Sequence, residues 1–165
     1  MRLRLVFVLG IVILCGCRSF SGGAPVVIKD VDFKYETTWK AVCAACLASG
    51  FELRDCNVDE RRITSYYKIL PEADITDPWM RSHKAIITLV PKEAVTGVKY
   101  DISISVGLYW KKRTPLSDAQ EGWDFISWDK EKQEEIAAEF HNQTARDERI
   151  KQGIEEFKRR TGGKF

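Results

Sequence analysis

Between residues 98 and 108 apolar side chains alternate with small or polar ones, and few folds satisfy that pattern. Val98, Tyr100, Ile102, Ile104, Val106, Leu108 and Trp110 share one phase of a period of two, while Lys99, Asp101, Ser103, Ser105 and Gly107 share the other. Such a strand buries one face and leaves the other, small and polar, to water. The sheet that holds it is therefore expected to be antiparallel and covered by helices on one side.

The rest of the chain fits around that strand. Val27, Val31, Phe33 and Tyr35 share a phase and predict a first strand, closed by Thr37 and Thr38 as N-capping hydroxyls. Trp39, Val42, Cys43, Cys46 and Leu47 then form one helical stripe, with Gly50 where a C-cap wants it. Residues 51–55 alternate as a short strand, 57–62 turn the chain, and 63–70 return as the hairpin partner. A loop with two prolines spans 71–83, and a further strand follows at 84–90. The tail, about 129–160, is charged and helical, with Ile136, Phe140, Ile150, Ile154 and Phe157 as its apolar contacts. Thr144-Ala145-Arg146-Asp147 offers a capping start that would split it in two. The expected order is β-α-β-β-β-β-α: an α+β fold, a twisted antiparallel sheet with helices packed on one face, in a single domain over residues 26–165.

The first seventeen residues read as an address. Arg2 and Arg4 precede an apolar run over residues 5–14, too short to span the ~30 Å of a bilayer as a helix, so the segment is a secretory signal. Leu14-Cys15-Gly16-Cys17 resembles the lipobox of bacterial lipoproteins. The resemblance implies cleavage after Gly16 and lipidation of Cys17; Cys15 does not suit that role, because Leu14 would fill a position that takes a small side chain. Residues 1–16 are then a signal peptide and 17–25 a lipidated cysteine with a flexible tether rich in Gly and Ser. The acyl chains, at ~0.8 kcal/mol per buried methylene, hold the protein to the membrane. Because Arg18 and not an aspartate follows the cysteine, the resemblance implies the outer membrane, periplasmic face. Read without it, the segment is an ordinary secretory signal or an uncleaved anchor. Removing residues 1–16 takes the formal charge from +2 to zero, which leaves no electrostatic case for nucleic acid.

Little in the remainder carries chemistry. Cys43 and Cys46 have redox spacing, but Cys43 lies about a turn and a half inside its helix, where the dipole does little for a thiolate. They read as two small buried apolar residues or, in an oxidising compartment, as candidates for a disulfide. Cys56 is expected to face away from the helix, so that bridging it to Cys43 or Cys46 would need a bulge or an early end to its strand. Thiol chemistry gains weight only with solvent-accessible sulfurs. Too few further ligands accompany the pair for a structural zinc site, and His83 and His141 read as solvated surface histidines. With no nucleophile elbow, phosphate-binding loop or zinc-protease motif, no catalytic residue, metal or cofactor is expected.

The run Tyr35-x-x-Thr38-Trp39-x-Ala41, then Leu47, Gly50-Phe51-x-Leu53, Asp59 and Ile63-Thr64-Ser65, resembles the opening unit of small envelope lipoproteins. It is similar to the helix-grip-type domains of the lipoprotein subunits of the outer-membrane β-barrel assembly machine, and to short lipoproteins of planctomycete-type bacteria. The resemblance covers about residues 26–70 and implies a non-catalytic protein. The candidate working surface is aromatic: Trp79 in the proline-containing loop, and Tyr109, Trp123 and Trp128 around a 111–128 segment that also holds Phe125 and Lys111-Lys112-Arg113. These rings either form an interface with an envelope protein or fold back over the open sheet; Trp110, in phase with the core, is expected to pack. The function expected is a membrane-anchored binding or scaffolding module. The alternative is a carrier of a small apolar ligand, in a pocket between helices and sheet lined by Tyr100, Ile102 and Ile104.

Overall fold

The computed structural model describes residues 24–71, 78–94, 97–113 and 120–161. The expected signal peptide, Cys17 and most of the expected tether lie outside the described residues. In chain order the elements are β1 (Val26–Val31), α1 (Tyr35–Ala48), β2 (Leu53–Asn57), β3 (Arg62–Ser65), β4 (Lys68–Ile69), β5 (Trp79–Ala94), β6 (Gly97–Lys112), β7 (Asp124–Trp128) and α2 (Lys130–Thr161). The class is α+β, as expected, with two short strands, β4 and β7, added to the expected order. All pairings are antiparallel; the sheet runs β1-β6-β5-β3-β2, with β4 on β5 and β7 on β6.

The alternation in β6 has the effect expected of it. Tyr100, Ile102, Ile104 and Val106 are buried and lie beside Ala85, Ile87 and Leu89 of β5, with Ile63 of β3 next to them. Against this apolar sheet pack Ala41, Val42, Ala45 and Cys46 of α1 and Ile136 and Phe140 of α2, and the two helices touch each other. Contact with both the sheet and α2 rotates the buried stripe of α1 from the expected one. It runs Thr38, Ala41, Val42, Ala45, Cys46 and Ser49; Trp39 and Cys43 become half-buried flanks, and Leu47 is 56% exposed. Gly50 does end the helix, at φ +76°, with the Phe51 N–H reaching back to the Cys46 carbonyl at 3.0 Å. A side chain at Gly50 would meet the Lys68 ammonium at 2.7 Å, and that ammonium donates to the Ser49 carbonyl at the same helix end.

Three register shifts interrupt the ladders: one lies between β6 and β7 at Leu108 and Tyr109, and the bulges in β1 and β2 reverse side-chain phase where a strict alternation would not. In β1 the register shifts between Ile28 and Val31, with Asp30 at φ +55°. Val31 is thereby buried and Val27 exposed, although they share the sequence phase. The chain then enters α1 at Tyr35 with no side-chain cap, because Thr38 lies in the first turn and returns its hydroxyl to the Lys34 carbonyl at 3.2 Å. Tyr35 instead packs its ring at a tilt against Trp39, one turn on, and against Tyr100, with centroids 5.8 and 5.7 Å away. The second bulge lies in β2, between Leu53 and Asp55.

The tail forms one helix. Thr144 does not start a second, since its buried hydroxyl bonds the Phe140 and His141 carbonyls of the turn before it. Beyond that point the helix outruns the sheet: Ile150 and Ile154 are about half exposed, contrary to their expected role in the core, and the side chain of Phe157 lies outside the description. Trp110 also leaves the core. It keeps the apolar phase, but no helix covers it there, and the ring is 42% exposed and stacked on Trp79. Phe140→Ala should therefore cost ~3–5 kcal/mol and Ile154→Ala less than ~0.5 kcal/mol in urea denaturation. Equal losses would mean that the far half of α2 packs on something.

Candidate interface

Five aromatic rings form one continuous array on the sheet face that the helices leave uncovered. Trp123 stacks on Tyr67 with centroids 5.3 Å apart; Tyr67 meets Tyr109 edge-on at 5.1 Å; Tyr109 meets Phe125 at 5.5 Å; Phe125 leans on Trp128 at 4.8 Å. The backbone accounts for this. Tyr109 projects from β6 opposite in phase to the core residues, and β7 pairs there, placing Phe125 across from Tyr109 and Trp128 across from Gly107. Gly107 is needed as it is, since the Tyr109 ring lies over it and a Cβ there would come within 2.7 Å of that ring. Tyr67 is delivered by the short pairing of β4 with β5 and is held by its N–H on the Gln120 side chain at 2.9 Å.

Cations underlie and flank the rings. The Lys84 ammonium sits 4.6 Å from the Tyr67 centroid, and that of Lys111, a residue only 4% exposed, sits 4.9 Å from the Trp123 centroid while also donating to the Glu121 carbonyl. Burial pushes the Lys84 pKa down, and the charges of Arg54 and Arg62 push it further. Burial likewise pushes the Tyr67 and Tyr109 phenols up. The face is thus aromatic with a positive border. Phe125 is its most open ring, at 48% exposure, while Tyr109, Trp123 and Trp128 are half-buried. Beside it a polar hollow of about 250 Å³ is lined by Gly50, Glu52, Tyr66, Tyr67, Lys68, Ile69 and Gln120.

Of the four residues singled out from the sequence, the structure gathers Tyr109, Trp123 and Trp128 and sets Trp79 apart. Trp79 is in phase with the core residues of β5, on the opposite face, and stacks on Trp110 at 4.9 Å. Tyr67 and Lys84 lie outside the surface expected from the sequence, while Lys111 lies within it but with no expected ring partner. The adjacent Tyr66-Tyr67 at a strand end was the available signal for the first, and nothing local marks the two lysines as ring partners. The array also joins the two alternatives posed for these rings: they cover the open sheet and still present apolar surface.

His83 is not the solvated residue expected. It is 6% exposed, on the helix side of β5, and its Nε2 lies 2.9 Å from Asp129 Oδ2. The other oxygen of Asp129 accepts the Lys132 N–H at 3.0 Å as the N-cap of α2. The contact fits a neutral ring donating from Nε2, with Nδ1 buried and without a partner among the described residues. His141 is exposed, as expected. Among the described residues no group of three His, Cys, Asp or Glu side chains is placed to hold a metal, and no helix is long and apolar enough to cross a membrane. Compared with known proteins, the chain matches no family model and no curated sequence.

Burial, together with the charges of Lys132 and Lys68, depresses the pKa of His83 more than Asp129 raises it. The unfolded chain, with an ordinary value near 6.5, therefore takes up the proton first. Stability from this residue is present in full above that value and is lost as pH falls toward the lower folded pKa. Between pH 7.5 and 5.5 the urea midpoint of the wild type should fall more than that of His83→Gln; parallel losses would assign the acid sensitivity to other groups.

Proposed function

We propose that the chain is a non-catalytic lipoprotein of the bacterial envelope, anchored through Cys17 in the outer membrane with its domain on the periplasmic side, that binds another envelope protein through the aromatic face. The observation that carries the binding half of this reading is the array from Trp123 to Trp128. Three of its rings are fixed by backbone pairing on a rigid sheet, and Phe125 stays open. Preordered aromatic rings contribute contact area without the entropy cost of arresting flexible side chains. The border of Lys84, Arg54 and Arg62 favours a partner that brings apolar groups together with carboxylates. The carrier alternative has less behind it, because Tyr100, Ile102 and Ile104, which would line its pocket, are 9%, 0% and 1% exposed inside the packed core. The hollow beside Tyr67 is small and polar.

The interface half is tested by capture from detergent-solubilised envelopes, with folding of each variant checked by circular dichroism. Phe125→Ala combined with Trp123→Ala should lower capture of a defined envelope protein by at least ~10-fold, with wild-type capture weakening as salt rises, while Trp79→Ala, on the other face, should leave it unchanged. Loss in Trp79→Ala alone would move the working surface to the Trp79–Trp110 side. Capture of no protein would count against the scaffold and turn attention to co-purifying small molecules.

The anchor half is tested separately. In cells fed labelled palmitate the wild type should carry label and sediment with membranes, whereas Cys17→Ala should lose the label. A labelled Cys17→Ala protein would place the lipid elsewhere.

A further inference from the structure

Three thiols lie among the described residues, and the fold treats them unequally. Cys46 is fully buried in the core, Cys43 is half-buried on the flank of α1, and Cys56 is exposed on the edge strand β2. Counted by simple alternation from Phe51 and Leu53, Cys56 points away from α1. The bulge reverses that count: Leu53 pairs with Ser65 but Asp55 pairs with Thr64, which sets Cys56 directly across from Ile63, a residue with no exposed surface on the helix side of the sheet. Cys56 thus shares the face of Ile63 and turns toward α1. The end of the hairpin is tied to the start of the same helix, where the Tyr35 hydroxyl donates to the Val58 carbonyl at 3.1 Å. In this arrangement Cys56 lies near enough to Cys43 to help push its thiol pKa up, and both act on Cys46 through their charge.

We propose that Cys43 and Cys56 are a disulfide site, bridging α1 to the edge hairpin β2–β3 and leaving Cys46 as a buried free thiol. The chemistry is thiol–disulfide exchange with a disulfide donor, either a small molecule such as oxidised glutathione or the disulfide of a thiol oxidase. Exposed Cys56 attacks first, forming a mixed disulfide and releasing one donor thiol. Cys43 then attacks the Cys56 sulfur and releases the second. One donor disulfide is reduced to two thiols, the two cysteines are oxidised, and their two protons leave on the donor thiols.

The order of attack follows from access and acidity. Burial, helped by Cys56, pushes the Cys43 thiol up to about 11, and burial pushes Cys46 up to about 12, so neither is a ready first nucleophile. Cys43 needs only proximity for the second step. Bringing the two neighbouring sulfurs to bonding distance falls to β2, which has a neighbour on one side only and can shift toward α1. The site also resolves the odd count of cysteines downstream of residue 17. It depends on neither the anchor nor the aromatic face.

The test uses the folded full chain incubated with oxidised glutathione, alkylated and digested with trypsin without reductant. Cleavage at Lys40, Arg54 and Arg61 puts Cys43 and Cys46 on residues 41–54 and Cys56 on 55–61, so the bond appears as a linked peptide pair that reductant separates. The pair should form in the wild type and in Cys46→Ala and be lost in Cys43→Ser and in Cys56→Ser. The oxidised monomer should melt on the order of 5–10 °C above the reduced one. Absence of the pair in folded wild type, its persistence in Cys43→Ser, or its presence only in covalent dimers would each overturn the proposal.

Discussion

The β5–β6 ladder pairs sixteen residues of each strand in unbroken register, from Trp79 against Lys112 to Ala94 against Gly97. Both faces of the molecule are consequences of that register. One phase supplies Ile87, Leu89, Ile102 and Ile104 to the core, where the two helices cover them. The other carries Tyr109, Lys111 and Lys84 to the open side, where Tyr67 and the rings of β7 collect on them. Slipping the pairing by one residue would exchange the two sets, so core burial and the aromatic array stand or fall together.

At one end the ladder also runs past the residues that the helices cover. Where it outruns them, at Trp79 and Trp110, apolar-phase side chains emerge into a stacked surface pair instead of a core. The His83–Asp129 contact lies near that margin and joins β5 to the first turn of α2. Asp129 serves two partners there, capping the helix with one oxygen and holding the imidazole with the other. A neutral ring suits that dry position, since a second N–H would find no acceptor among the described residues.

Thr144 and the two bulges show how a local pattern misleads when a neighbouring element decides. A threonine followed three residues later by an aspartate reads as a helix start, yet the same hydroxyl is equally served by a carbonyl one turn back. The apolar phase shared by Val27 and Val31, or by Phe51 and Leu53, holds only while the strand keeps its register with a partner that the local sequence does not display. Asp30 at φ +55° and the Leu53–Asp55 shift each break that register, and the second brings Cys56 round to Cys43.

Periodicity alone was enough to determine the α+β class, the long amphipathic strand, the Gly50 helix end and the helical tail, because each of these is dictated by side chains within a few residues of one another. The aromatic character around residues 109–128 was legible for the same reason. What only the tertiary structure decided is which of those rings meet. Tyr67 and Trp123 are 56 positions apart in the chain, and stack because β4 and the β6–β7 pairing bring them to one face. His83 passed from surface to interior, and Cys56 from outward to inward, by the same cause: burial and orientation depend on elements distant in sequence, and a bulge of a single residue is enough to turn a side chain through the sheet.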